Sequence, residues 1–213
     1  MFVRTRLILA LPCIAALMTA TSVARADTIH VTVYNQCDYS APCRGALNNA
    51  GPQGGSLGST VITNGIINSF APNNTTNYTV GSFLTSNGAT VGPYSNSTVA
   101  GLGLNDKEID FSGNMYLTAG ITYTINHDDG AILLLNNVVK FNSGGATSSI
   151  PSTFSVASTG EYSFLLRYAE VNGAPATINA NTPFSPVPEP SSLMLLGTGL
   201  IGIGGMMRRK MGV

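Results

Sequence analysis

The sequence predicts an all-β fold, an antiparallel β-sandwich with long loops rich in Gly, Asn, Ser and Thr. Three observations lead there. Helical periodicity is nearly absent from the central region of the chain. Short runs of β-branched and aromatic residues alternate with polar ones, and Gly, Asn, Ser or Pro interrupt them at short intervals. Many short strands joined by tight turns produce this pattern, and two packed sheets bury it best.

Thr28–Tyr34 alternates apolar and polar residues and reads as the first strand. Residues 45–105 are rich in Gly, Asn, Ser and Thr, with short apolar patches at Thr60–Thr63 and Tyr78–Leu84, and read as loops and edge strands. Asn73-Asn74-Thr75 and Asn96-Ser97-Thr98 match glycosylation sequons and read as surface turns. Met115–Ala119 and Ile121–Asn126 follow as strands separated by Gly120. Ala131–Leu135 and Val138–Phe141 flank Asn136-Asn137, a pair suited to a type I′ hairpin because Asn tolerates positive φ. Thr153–Ala157, Gly160–Ala169 and Ala174–Ile178 complete the set.

Both ends differ in kind. Arg4 and Arg6 precede an apolar stretch Leu7–Ala20, and Ala24-Arg25-Ala26 places small residues where signal peptidase cuts. Residues 1–26 therefore read as a signal peptide that hands the chain to the Sec translocon. At the other end Pro188-Glu189-Pro190 precedes an uncharged run, Leu193–Met207, and the basic group Arg208-Arg209-Lys210. At ~1.5 Å per residue that run spans roughly 22 Å, short of a bilayer core but within reach of one with snorkelling flanks. The basic group holds its end in the cytoplasm, and the two prolines stop the helix at the membrane surface. This order resembles the PEP-CTERM sorting tail, which implies processing by exosortase at the inner membrane of a Gram-negative bacterium. The expected organisation is a signal peptide at 1–26, an extracytoplasmic β-sandwich at 27–183 and a tail with a transmembrane sorting helix at 184–213.

The formal charge of zero averages two basic ends and an acidic middle. Between Asp27 and Pro183 stand four basic and nine acidic residues, a formal charge of −5. Such a surface repels phosphate backbones and argues against nucleic acid as a partner. Cys37 and Cys43 remain after export, and in an oxidising compartment they are expected to pair across a short local loop.

Tyr123–Gly130, with Asp128-Asp129-Gly130 at its end, leads into the apolar hairpin Ala131–Val139, and Gly160-Glu161-Tyr162 opens a later strand. This succession resembles the protective-antigen-type β-sandwich of adhesins and flocculins. The resemblance implies that Asp128 and Asp129, joined by a cis peptide, chelate calcium and through it take vicinal sugar hydroxyls. Calcium prefers six to eight oxygen ligands, and Asn172 in the later loop is a candidate by chain order, Glu170 a weaker one. On the residues alone a second reading stays open, a turn in which Asp128 caps neighbouring amides and Asp129 faces solvent. His127 reads as a hydrogen-bonding edge residue.

Other patterns carry less. Asp106-Lys107-Glu108-Ile109-Asp110 fails as an EF-hand, with Phe111 at the turn glycine and Leu117 at the bidentate glutamate, and reads as a solvated strand face. Gly54-Gly55-Ser56-Leu57-Gly58 matches G-x-S-x-G but lacks the apolar strand and following helix of a nucleophile elbow. The G-x-G-x-x-G at Gly197–Gly202 lies within the apolar tail and has no strand before it. The reading is a non-catalytic exported protein of the cell surface or extracellular matrix that binds glycan or exopolysaccharide, with calcium as its candidate ion. The alternative is a purely structural biofilm protein with no specific ligand.

Overall fold

The computed structural model describes residues 28–35, 47, 51–52, 54–64, 67–71, 78–145, 147–171 and 174–182, with 197–199 and 202 in the tail. Cys37, Cys43, Asn172, Ala24, Ala26 and the tail residues Pro188, Glu189, Pro190, Arg208, Arg209 and Lys210 lie outside the described residues. Asp27–Val187 forms one compact unit; Met1–Ala26 and Pro188–Val213 form another, in which residues 197–199 and 202 are helical. Among the described residues no helix is long and apolar enough to cross a membrane.

Eleven strands occur in the described chain: β1 (Ile29–Asn35), β2 (Ser56–Asn64), β3 (Asn68–Ala71), β4 (Thr90–Val91), β5 (Lys107–Leu117), β6 (Tyr123–Asp128), β7 (Gly130–Leu135), β8 (Val138–Ser143), β9 (Ile150–Phe154), β10 (Gly160–Glu170) and β11 (Ala176–Ala180). They form a seven-stranded sheet, β4-β2-β1-β5-β10-β7-β8, and a four-stranded sheet, β3-β11-β6-β9. The named ladders are antiparallel. The predicted sandwich is thus the observed fold.

Period-two alternation sets the faces. Val31 and Val33 of β1, Ile109 and Phe111 of β5, and Phe164, Leu166 and Tyr168 of β10 turn inward. They meet Ile125 of β6 and Ile178 of β11 in one core between the sheets. The alternate residues Thr32, Tyr34, Glu108, Asp110 and Arg167 therefore occupy the outer face of the seven-stranded sheet. Part of that face carries a smaller apolar cluster of Leu47, Ile132 and Ala169.

Three elements depart from the sequence reading. β2 is an interior strand between β4 and β1, where the expectation was a loop or edge. Its small residues hide the pattern, but Thr60 and Ile62 are buried and its ladder with β1 runs from Ile29↔Ile62 to Tyr34↔Ser56. Val80–Thr85 forms a short helix, α1, where a strand or loop was expected. Its start is a reciprocal cap: Ser82 N donates to Thr79 Oγ1 at 3.2 Å and Thr79 N to Ser82 Oγ at 3.0 Å. β5 begins at Lys107, so the acidic segment before Phe111 is part of a central strand.

The hairpin β7–β8 turns on Asn136 (φ 48°) and Asn137 (φ 63°), the left-handed pair of a type I′ turn. Asn96 makes the surface turn expected of it, its Oδ1 accepting from Thr98 N at 3.2 Å and Thr98 Oγ1 at 2.9 Å.

Candidate functional site

β6 ends and β7 begins within three residues, and this abrupt crossing from one sheet to the other builds the site. Asp128 closes β6, Asp129 bridges and Gly130 opens β7, with a cis peptide bond between the two aspartates. Gly130 is required by proximity. A Cβ there would lie 2.6 Å from the Gly144 carbonyl oxygen, so no other residue fits.

Both carboxylates are buried, Asp129 at 2 % exposure and Asp128 at 7 %. This removes the open alternative in which Asp129 faces solvent. Asp129 instead joins two remote segments: Thr147 N donates to its Oδ1 at 3.0 Å and Val171 N to its Oδ2 at 2.9 Å. Burial raises the Asp128 acid above its ordinary value, and the charge of Asp129 raises it further; a bond from the Ser149 amide works the other way. Two adjacent carboxylates in a dry setting repel, and a cation between them offsets that repulsion.

Three neighbours hold the crossing in place. His127 is fully buried on β6, an interior strand rather than an edge. Its Nδ1 lies 2.6 Å from the Asp129 carbonyl oxygen and its Nε2 2.8 Å from Ser152 Oγ. Burial lowers the His127 pKa below its ordinary value, against the opposing pull of Asp129. A neutral ring follows: Nδ1–H donates to the carbonyl and Nε2 accepts from Ser152, which in turn sits 3.0 Å from Ser143 Oγ. Both nitrogens are committed to this fixed orientation.

Tyr168 is the second neighbour. Its hydroxyl bonds the Asp128 carbonyl and lies 3.1 Å from Glu170 Oε2. Its ring stacks on Phe83 of α1 with centroids 5.5 Å apart and planes at 8°. The unforeseen helix thus supports the site by fixing this tyrosine. Burial, then the Glu170 charge, raises the phenol well above its ordinary value, so it stays a neutral donor. Glu170 itself is 1 % exposed and shares this end of the sandwich with the aspartates. Sequence reasoning missed Tyr168, which lies within the expected Gly160–Ala169 strand but outside its Gly160-Glu161-Tyr162 motif.

Among the described residues no group of three or more His, Cys, Asp and Glu converges to hold a metal. The residues at hand are two carboxylates with backbone carbonyls beside them, an all-oxygen donor set that suits a hard cation. Asn172 follows Val171, whose amide is anchored to Asp129.

The serine motif separates from the histidine. Ser56 is exposed at the start of β2 in the larger sheet, while His127 is buried in the smaller one. They form no nucleophile–base pair. Glu108 and Asp110, expected on a solvated face, are instead buried at 1 % and 8 % exposure, with Arg167 across the ladder from Asp110.

Comparison with known proteins adds the following. The model of the PEP-CTERM protein-sorting motif matches residues 186–210. That motif marks an exported chain, tethered to the inner membrane through its C-terminal tail, processed by exosortase and destined for the surface of a Gram-negative cell. No curated protein matches the chain. Similar solved structures include the PA14 domain of the antifreeze protein MpAFP, 20% identical, covering 71% of this chain and 79% of that one with a TM-score of 0.45. The PA14 sugar-binding domain of an RTX adhesin is 17% identical, covering 73% and 87% with a TM-score of 0.44. The Epithelial Adhesin 9 A domain of Candida glabrata, solved with Galβ1-4GlcNAc, is 13% identical, covering 75% and 87% with a TM-score of 0.41.

Proposed function

We propose that the exported domain is a non-catalytic glycan-binding module of the cell surface or exopolysaccharide matrix, with calcium held at Asp128 and Asp129. The observation that carries this reading is the pair itself. Two adjacent carboxylates are buried at the crossing between the sheets, and the Asp128 acid is raised by that burial first and by its neighbour's charge second. Asp128 and Asp129 would hold the ion, with Asn172 as a further candidate ligand. When bound, calcium supplies open coordination places that vicinal sugar hydroxyls can fill. The chain's own residues do the positioning: His127 fixes the Asp129 carbonyl, Tyr168 fixes the Asp128 carbonyl, and the Thr147 and Val171 amides orient the Asp129 carboxylate.

One observation favours a second reading, a structural matrix protein without a specific ligand. Each Asp129 oxygen already accepts a backbone amide, so that carboxylate serves as a loop staple without any ion. Calorimetry with calcium chloride, on wild type and on Asp128→Asn, separates the two. Saturable binding that Asp128→Asn abolishes, with glycan-array signal lost in EDTA, supports the calcium lectin. Absence of calcium uptake by wild type leaves the structural protein. Mass spectrometry of the mature chain from its native host tests the sorting step, with residues 191–213 expected to be missing.

A further inference from the structure

The outer face of the seven-stranded sheet holds a cavity of about 460 Å³, lined by Thr32, Tyr34, Asp110, Ser112, Ser163 and Arg167 among others. It does not belong to the aspartate crossing. Arg167 and Tyr168 are successive residues of β10 and point to opposite faces, so Tyr168 serves Asp128 from the core side while Arg167 lines the outer cavity. A volume in this range accommodates a small ligand.

The wall mixes apolar residues such as Leu134 and Phe164 with a specific polar set. Tyr34, Thr32 and Ser112 present hydroxyls from β1 and β5, and Ser163 adds another from β10. Asp110 and Arg167 face each other across the β5–β10 ladder, with Oδ2 and Nε 3.8 Å apart. Asp110 is more than nine-tenths buried, yet its Oδ1 has no hydrogen-bond partner in the protein. Buried carboxylate oxygens are costly when unpaired, and this one lies on a residue that lines a cavity. Glu108, two residues earlier on the same face, also leaves Oε1 without a partner.

Charge narrows the ligand class. Burial and then the Asp110 charge raise Glu108 to about 8, while burial lifts Asp110 only to about 6 against the pull of Arg167. At neutral pH Glu108 is therefore protonated, and the Asp110 carboxylate balances the Arg167 guanidinium. An ionic ligand would bring an uncompensated charge into this balanced wall. A neutral ligand carrying several hydroxyls would not, since each hydroxyl can donate to a carboxylate and accept from a guanidinium or serine.

We infer that this outer-face cavity is a second binding site, for a neutral polyhydroxylated ligand of monosaccharide size, with Asp110 and Arg167 as its polar anchors. The site needs no metal and stands independently of the calcium reading. Titration of ¹⁵N-labelled protein with D-galactose, D-mannose and D-glucose in EDTA tests it. The expected result is saturable shifts of the Thr32, Ser112 and Ser163 amides for at least one sugar. They should weaken at least tenfold in Asp110→Asn and in Thr32→Phe, which fills the cavity without touching its charges. They should persist in Asp128→Asn. Absence of saturable shifts in folded wild-type protein overturns the inference, as does binding that survives Thr32→Phe. Shifts that require calcium and vanish in Asp128→Asn assign the sugar to the aspartate crossing and overturn it equally.

Discussion

Val171 and Asp129 lie far apart in sequence, yet the Val171 amide donates to the Asp129 carboxylate at 2.9 Å. With Thr147 N bonded to the other oxygen, one side chain ties two segments to the β6–β7 crossing. Removing the carboxylate strands two donors. Asp129→Ala should cost on the order of 2–3 kcal/mol, since each unpaired buried amide costs about 1–3 kcal/mol. Asp129→Asn retains an acceptor for one amide and should cost less. Urea denaturation of both variants in EDTA checks the order. Equal losses would mean that the amide bonds contribute nothing.

Asn136 and Asn137 share a left-handed conformation but differ in their bonding. Asn136 Oδ1 accepts from Ser163 N at 2.9 Å and Ser163 Oγ at 3.1 Å. Asn137→Gly should therefore leave stability unchanged or raise it, because glycine adopts positive φ without penalty. Asn136→Gly gives the same backbone freedom but loses both bonds, and should cost about 1 kcal/mol. Thermal melts of the pair provide the comparison, with the asymmetry as the decisive quantity.

What the sequence disclosed follows the range of the interaction. β1 and the β7–β8 hairpin are legible because alternation and a two-residue turn are local properties. β2 was hidden, since Ser56-Leu57-Gly58-Ser59 carries little apolar signal and the strand is defined by its neighbours β1 and β4. α1 spans six residues, too few for helical periodicity, and its Thr79–Ser82 cap shows itself only in the folded chain. At the site, the adjacent aspartates stood out at once. Their burial did not, because it depends on amides from two distant segments. Glu108 and Asp110 misled for the same reason: alternating acids look solvated until Arg167 arrives from β10.

Burial keeps His127 in its neutral form, and Ser152 donates to its Nε2 at 2.8 Å. Ser152→Ala should cost about 1–3 kcal/mol by leaving that nitrogen unpaired and buried. Ser143→Ala, one bond further out, should cost less. The pH dependence has a definite sign. With the folded pKa depressed, the stabilisation from a neutral His127 is complete above the unfolded value of 6.5 and is lost as pH falls from there through the folded value. His127→Gln should flatten this acid limb, as read from denaturation midpoints against pH.

Glu108 contributes a slope of the opposite sign. Its folded pKa of about 8 lies above the value of 4.5 for a free glutamate, through burial first and the Asp110 charge second. Between those values the native protein holds a proton that the unfolded chain has released, so stability is fully present below 4.5 and falls as pH rises through 8. Asp110, raised to about 6 by burial, adds to the fall at the lower end of the window. Glu108→Gln keeps the shape and a donor toward Asp110 while removing the titration. At acidic pH the variant should match wild type, because both side chains are neutral there. Above pH 8 it should be more stable by on the order of 2 kcal/mol, the native protein no longer having to bury a second carboxylate beside the first. Denaturant midpoints measured across the range decide the matter. Parallel curves for variant and wild type would place the Glu108 proton elsewhere, and with it the charge balance of the outer cavity.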